Sequence, residues 1–262
     1  MTSKLKIRGE DFIMAQNIIS GLEALNLLEG GGGHENKFTY LKSGDRFNVK
    51  VRGMEDFIGV LSYGIFDKKI NTFIPENNPT LNKAGYPISD LTPFDKAWQY
   101  HMDQSTESKD AESKKAGAYR VKPRFAIAFY DLDKEEDIVI DFSQNQASQI
   151  LGAIKRNELK LGKKAFELAK DGAQQNTVVS LTPLDLEEPD LTPKQIEAFK
   201  NAPEELDRSI FEDLYYTRNE AEMVDALKTA GFDPTLIGYG DSEASNAVEE
   251  SPTETEDPTD NF

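Results

Sequence analysis

Between Arg46 and Arg52 the sequence alternates strictly: Phe47, Val49 and Val51 fall on one side, and Arg46, Asn48, Lys50 and Arg52 on the other. A period of two marks a strand with one face in a core. A strand cannot stand alone, because its backbone N–H and C=O groups need partners. The same composition recurs at Gly59–Phe66, Thr72–Ile74, Arg124–Tyr130, Asp137–Phe142, Lys163–Leu168 and Thr177–Leu181. Phe38 to Lys42 reads as a further strand before a turn at Ser43-Gly44-Asp45, with other turns at Asp131–Lys134 and Asp171-Gly172. Pro183 marks the end of this β-rich part.

Helical patterning lies around these strands. Phe12, Ile13, Ile19, Leu22, Leu25 and Leu28 predict an amphipathic helix over 10–29, ended by the glycines 30–33 as a flexible joint. Pro75, Asn77, Asn78, Pro79, Gly85, Pro87 and Pro93 predict a long loop over 75–93, followed by a short helix carrying Trp98 and Tyr100. Ser105 to Lys115 reads as a surface excursion. Ser143 is an N-cap for a helix to about Arg156, and Thr192-Pro193 starts one through Phe199. Two further helical stretches are expected at Glu204–Tyr216 and Asn219–Ala230, the last stopped by Gly231. The fold class is therefore α+β. The expected organisation is an arm and helix with its joint at 1–35, a β-rich core at 36–183, an acidic helical segment at 184–240 and a disordered acidic tail at 241–262.

Charge supports that division. The chain carries a net −17, yet residues 241–262 hold eight acids and no Lys or Arg, and residues 183–240 hold fourteen acids against five bases. The first 182 residues are close to neutral and can present a cationic face. With no Cys, disulfides and thiolate-held zinc are excluded. No apolar run approaches the roughly 20 residues a bilayer-spanning helix needs, and no continuous apolar stretch follows the basic Met1–Arg8 start. The expected location is the cytoplasm, a host's if the chain is phage-encoded.

Enzymatic patterns are sparse. His34 and His101 have no partner at metal-ligand spacing, and Gly30 to Gly33 is not followed by the Gly-Lys-Ser/Thr of a phosphate-binding loop. Asp131, Asp133 and Asp137 read as a turn, since Lys134 lies among them and no Gly occupies the sixth position of a calcium loop. No catalytic residue, metal or cofactor is expected.

Basic and aromatic residues interleave in two segments. Residues 37–52 carry five bases against one acid: Lys37, Lys42, Arg46, Lys50 and Arg52 against Asp45, with Tyr40 among them. The second segment is Tyr119-Arg120-Val-Lys122-Pro-Arg124-Phe125, followed by Phe129 and Tyr130. Spaced cations with aromatic rings are what a single nucleic-acid strand needs, since it offers phosphates and exposed base faces. The expected contacts are Lys42, Arg46, Lys50, Arg52, Arg120, Lys122 and Arg124 for phosphates. Tyr40, Tyr119, Tyr130 and Trp98 are expected to stack on bases, and Phe47, Phe125 and Phe129 to enter the core. A basic strand face is also what an ordinary solvated surface looks like.

These residues carry a resemblance. The stretches LKSGDRFNVKVRG, YRVKPRFAIAFYDLDKEEDIVIDFS and NTVVSLTPL, with an acidic end that closes on Phe262, resemble phage single-stranded DNA-binding, helix-destabilising proteins. The resemblance spans about 60% of the chain. It implies an oligonucleotide-binding (OB) fold, a five-stranded antiparallel barrel that holds a strand without sequence preference. It also implies a tail that competes for the cationic groove and recruits replication, recombination or repair proteins, here through Asp257, Asp260 and Phe262. Some members hold a structural zinc, which this chain cannot hold by thiolates. The competing expectation is a non-catalytic interaction or phage assembly component, in which residues 184–240 are a docking module and the basic strands are plain surface. An enzyme acting on DNA comes third.

Overall fold

The computed structural model describes residues 37–172, 177–187 and 189–240. The expected helix over 10–29, its glycine joint and the tail with Asp257, Asp260 and Phe262 lie outside them. Ten strands occur among the described residues: β1 (Arg46–Lys50), β2 (Phe57–Ile65), β3 (Ile70–Pro75), β4 (Thr80–Leu81), β5 (Pro87–Ser89), β6 (Lys122–Asp131), β7 (Glu136–Ser143), β8 (Ala165–Asp171), β9 (Val178–Leu184) and β10 (Thr217–Arg218). Five α-helices accompany them: α1 (Pro93–Gln104), α2 (Ala111–Tyr119), α3 (Gln144–Arg156), α4 (Pro193–Asn201) and α5 (Glu220–Ala230). The fold is α+β, with a mostly antiparallel sheet.

The sheet runs β10-β3-β2-β6-β1-β8-β9, with β7 also on β6. β6 organises it. One of its edges pairs with β7 along the whole of β7. The other pairs first with β2, from Ser62↔Lys122 to Phe57↔Ile127, and then with β1 at Val49↔Asp131 and Lys50↔Tyr130. β10 joins β3 in parallel; the other pairings are antiparallel. Among the described residues no pairing closes the sheet into a barrel.

Alternation along β6 divides the core. Ile127 and Phe129 enter a cluster under α3 with Val49, Phe142, Ile150 and Phe166, whereas Ala126 and Ala128 face Leu214 and Tyr215 on the other side. A third cluster joins β2 and β3 to α1, α2 and α5 through Tyr63, Phe73, Phe94, Tyr119 and Leu227. A fourth holds α4 to the sheet through Tyr130, Leu132, Leu191, Phe199 and Ala202. Both faces of the sheet carry packed layers, and segment 184–240 supplies much of the second one, while Gly59 on β2 stays exposed.

Local chemistry explains the helix boundaries. Capping boxes start α1 (Thr92/Asp95), α4 (Thr192/Gln195) and α5 (Asn219/Glu222), and Gly231 in the left-handed region (φ 86°) ends α5. Four segments differ from the sequence reading. Residues 38–42 form no strand of their own, and Thr39 N makes only an isolated backbone bond to Val139 O (2.8 Å). The 75–93 stretch contains the β4–β5 hairpin, turned through Asn82 and Gly85. The 105–115 excursion already holds the start of α2, capped by Asp110, whose side chain accepts from Ser113 N. Residues 204–216 form only a 3-10 turn at Arg208–Phe211, because their apolar residues anchor an extended run against Ala126 and Ala128 rather than repeat at helical spacing. Among the described residues no helix is long and apolar enough to cross a membrane.

Candidate nucleic-acid interface

The cations of β1 are engaged within the protein. Arg46 is exposed and holds Asp171 of β8 at 2.8 and 2.9 Å. Lys50 is buried, and its Nζ donates to the carbonyls of Phe199 (3.1 Å) and Ala202 (3.3 Å) while lying 4.8 Å from the centre of the Phe199 ring. Arg52 donates from Nε to Pro203 O (2.8 Å) and pairs with Asp137 at 2.7 Å. Phe199 O and Ala202 O are carbonyls that the end of α4 leaves without intrahelical partners, and Pro203 follows directly after its cap. Burial, then the like charge of Arg52, lowers the Lys50 pKa. Packing offsets that cost. Fully burying Leu191 and Phe199 contributes roughly 3–6 kcal/mol together.

The second basic segment is divided by the pleat. Arg124 is half-buried and forks onto Asp141, which also accepts from Tyr215 Oη at 2.9 Å. Tyr130 is buried in the α4 cluster with the Arg52 guanidinium 5.3 Å over its ring. Tyr119 is buried among Phe94, Phe232 and His101, the last stacked on it at 5.5 Å and 15°. His101 Nδ1 donates to Glu112 Oε2 at 2.8 Å, and its ring is held in that cluster. Tyr40 and Lys42 are exposed and precede β1.

Arg120, Lys122 and Trp98 have a different setting. Trp98 on α1 stacks on Tyr86 (5.6 Å, 19°), and the Arg120 guanidinium lies 4.6 Å over the Tyr86 ring. Tyr86 comes from the β4–β5 hairpin, and its contribution is absent from the sequence reading. Asn82 followed by Gly85 between two short apolar runs is the hairpin signal that would have placed it. Lys122 is exposed beside Arg120, and partial burial followed by the charges of Arg120 and Arg124 lowers its pKa.

The opposite face of β2 and β6 forms a trough. Gly59 pairs with Phe125 and Leu61 with Pro123, and these four line a cavity of about 260 Å³ with Ile74, Pro75 and Asn78. Phe57, two residues back on the same face of β2, lines the next cavity, about 410 Å³, with Met54, Leu151, Gly152 and Lys155. Gly59 leaves room for that ring: a Cβ there would lie 3.2 Å from Phe125 Cε1, so a side chain at this position presses on the ring. Phe57 and Phe125 are half-buried: each packs against the α3 core and each lines a cavity. The sequence assigns Phe125 to the core, and the trough is not apparent in it, because its walls come from β2, β3, β6, α3 and Asn78 after β3.

The arrangement offers planar apolar rings beside cations. It suits non-covalent binding of flat, charged polymers. Asp131, Asp133 and Asp137 do not converge: Asp131 accepts from the turn amides of Asp133 and Lys134, Asp133 from Gln195, and Asp137 pairs with Arg52. Among the described residues no group of three or more His, Asp or Glu side chains is placed to hold a metal ion. No family model, no curated protein and no solved structure matches this chain.

Proposed function

We propose that the chain is a non-catalytic, sequence-independent single-stranded DNA-binding protein that holds the strand in the β2–β6 trough. The observation that carries this reading is the pair of half-buried rings, Phe57 and Phe125, on one face of β2 and β6, each lining an open cavity, with Lys155 in the cavity of Phe57. Rings exposed on one face stack on bases of any identity, which gives affinity without sequence preference. The stack of Trp98, Tyr86 and Arg120, with Lys122 beside it, provides a second surface of the same chemistry. In this reading the sheet is a variant of the OB barrel, left open where β6 serves both β2 and β1. Its role is to protect single strands during replication, recombination or repair. Residues 241–262, with Asp257, Asp260 and Phe262, compete for the cations and recruit partners. RNA is accommodated by the same contacts, since none of them reads the sugar.

The test is fluorescence anisotropy of labelled oligo-dT at two salt concentrations, for the full chain and for Phe57→Ala and Phe125→Ala. The expected result is salt-sensitive binding, weakened in each variant by about 1–3 kcal/mol with an unchanged salt slope. Absence of oligo-dT binding by the folded full chain overturns the reading.

A further inference from the structure

Residues 155–164 hold five cations, Lys155, Arg156, Lys160, Lys163 and Lys164, against one acid, Glu158. Lys164 is taken by Asp185. Lys155, Arg156, Lys160 and Lys163 are exposed and, among the described residues, form no ion pair; Lys163 Nζ donates to Leu159 O (3.3 Å) within its own turn. Cations often gather at a helix end to meet its carbonyls, but that role is filled here. Asn157 N donates to the carbonyls of Ala153 (3.1 Å) and Ile154 (3.0 Å), and its Nδ2 donates to Ala153 O at 2.9 Å.

The segment is also fixed in place. Lys163 N and Lys164 N both donate to Lys160 O at 3.0 Å, and Gly162 N donates to Val51 O at 3.1 Å, which ties the turn to the chain just before Met54. Met54 lines the larger cavity of the trough, as does Lys155. Arg156 lies at the same wall: its guanidinium is the nearest group to Gly152, 3.4 Å from where a Cβ would stand, and Gly152 lines the cavity too.

We infer that these four side chains form a phosphate-binding exit from the trough, over which a single strand continues past Phe57 on its phosphodiester groups. The inference rests on the trough reading and names a contact surface beyond it. A phosphodiester chain fits better than an acidic polypeptide because the cations adjoin a cavity lined by a ring and a thioether, and a second ring-lined cavity lies on the same face of β2. A base and its phosphate are thereby accommodated at once, at a repeat that a trough can continue.

The experiment compares salt titrations of the full chain and of Lys160→Glu/Lys163→Glu with two oligo-dT lengths, about 5 and about 20 nucleotides, bracketing the roughly 4–16 nucleotides one such domain covers. Both residues lie outside the trough lining. Each lost phosphate contact lowers the slope of log K against log salt by about 0.7 for a single strand. The expected result is a slope smaller by about 1.4 for the long oligomer only, with the short one unaffected and Lys160→Arg/Lys163→Arg keeping the parent slope. Binding of both oligomers with slopes that ignore the reversal overturns the exit and leaves the trough. Binding of neither oligomer by the parent chain removes the trough reading itself. Slopes that ignore the reversal while poly-glutamate binding depends on these lysines overturn the phosphodiester assignment in favour of an acidic polypeptide.

Discussion

The face of β1 and the α3 end of the trough carry the same kinds of side chain and use them differently. At the end of β1 and just past it, Lys50 donates to the last carbonyls of α4 and Arg52 to the Pro203 carbonyl that follows the helix. Beside the trough, Lys155, Arg156, Lys160 and Lys163 stand exposed at a helix end that Asn157 has already completed. An interleaved basic and aromatic strand is thus a pattern for holding anions of any origin. What decides between a helix carbonyl and a phosphate is whether another element of the same chain arrives first. Residues 191–202 arrive first on β1 because Leu191, Ala198, Phe199 and Ala202 bury there.

The largest effect that would break this comparison belongs to Arg52. Its side chain is nearly buried and its partner Asp137 lies beside it, so Arg52→Ala leaves a largely desolvated carboxylate and an unpaired Pro203 carbonyl. A loss of about 3–5 kcal/mol in unfolding free energy is expected by urea titration, with no change in the salt slope of oligo-dT binding under native conditions. A variant of full stability with a reduced slope would return β1 to the binding surface.

Gly59→Val sharpens the other side of the comparison. The added Cβ meets the Phe125 ring, and rotating that ring out of the trough should weaken oligo-dT binding about tenfold, equal to roughly 1.4 kcal/mol, with a smaller change in melting temperature. Equal binding by this variant would show that the ring is core alone.

A smaller effect is expected at the second surface. Trp98 is the only tryptophan, so its fluorescence reports on the stack directly. Tyr86→Ala removes both ring contacts, costs about 0.5–1 kcal/mol of cation–π attraction and should red-shift the Trp98 emission. Quenching of Trp98 by oligo-dT in the parent, lost in Tyr86→Ala, would join this stack to the strand's path.

The smallest expected effect is a pH dependence. Asp95 is buried at the start of α1, where its Oδ2 accepts from Tyr63 Oη, Thr92 Oγ1 and Thr92 N and its Oδ1 has no partner. Burial raises its pKa. A raised folded-state value favours the protonated acid, so its contribution is full below the ordinary Asp value and is lost as pH rises through the raised one. The stability of Asp95→Asn relative to the parent should therefore rise as pH increases from about 4, the ordinary Asp value. A difference independent of pH would contradict the raised value.

The strands were legible because alternation is local. Phe47, Val49 and Val51 reached the α3 core from their spacing alone, and the turn at Asp131 follows from its carboxylate meeting two amides downstream. The fate of the opposite face was not legible. Lys50 meets Phe199 and Ala202 about 150 residues later, and nothing in β1 distinguishes a lysine awaiting a carbonyl from one awaiting a phosphate. Tyr119 and Tyr130 failed to reach the surface for a related reason: α2, α5 and α4 bring rings of their own, Phe232 and Phe199, to the same places. The trough was hidden because Phe57, Phe125 and Leu151 each look like core residues, and only their common open side makes a site.

The measurement that bears most directly on the account is photo-crosslinking of the full chain to an oligo-dT carrying iodouracil, with the crosslinked residues identified by mass spectrometry. The account predicts adducts on Phe57 and Phe125. Adducts confined to Tyr130 or Tyr119, with the trough rings unmodified, would contradict it.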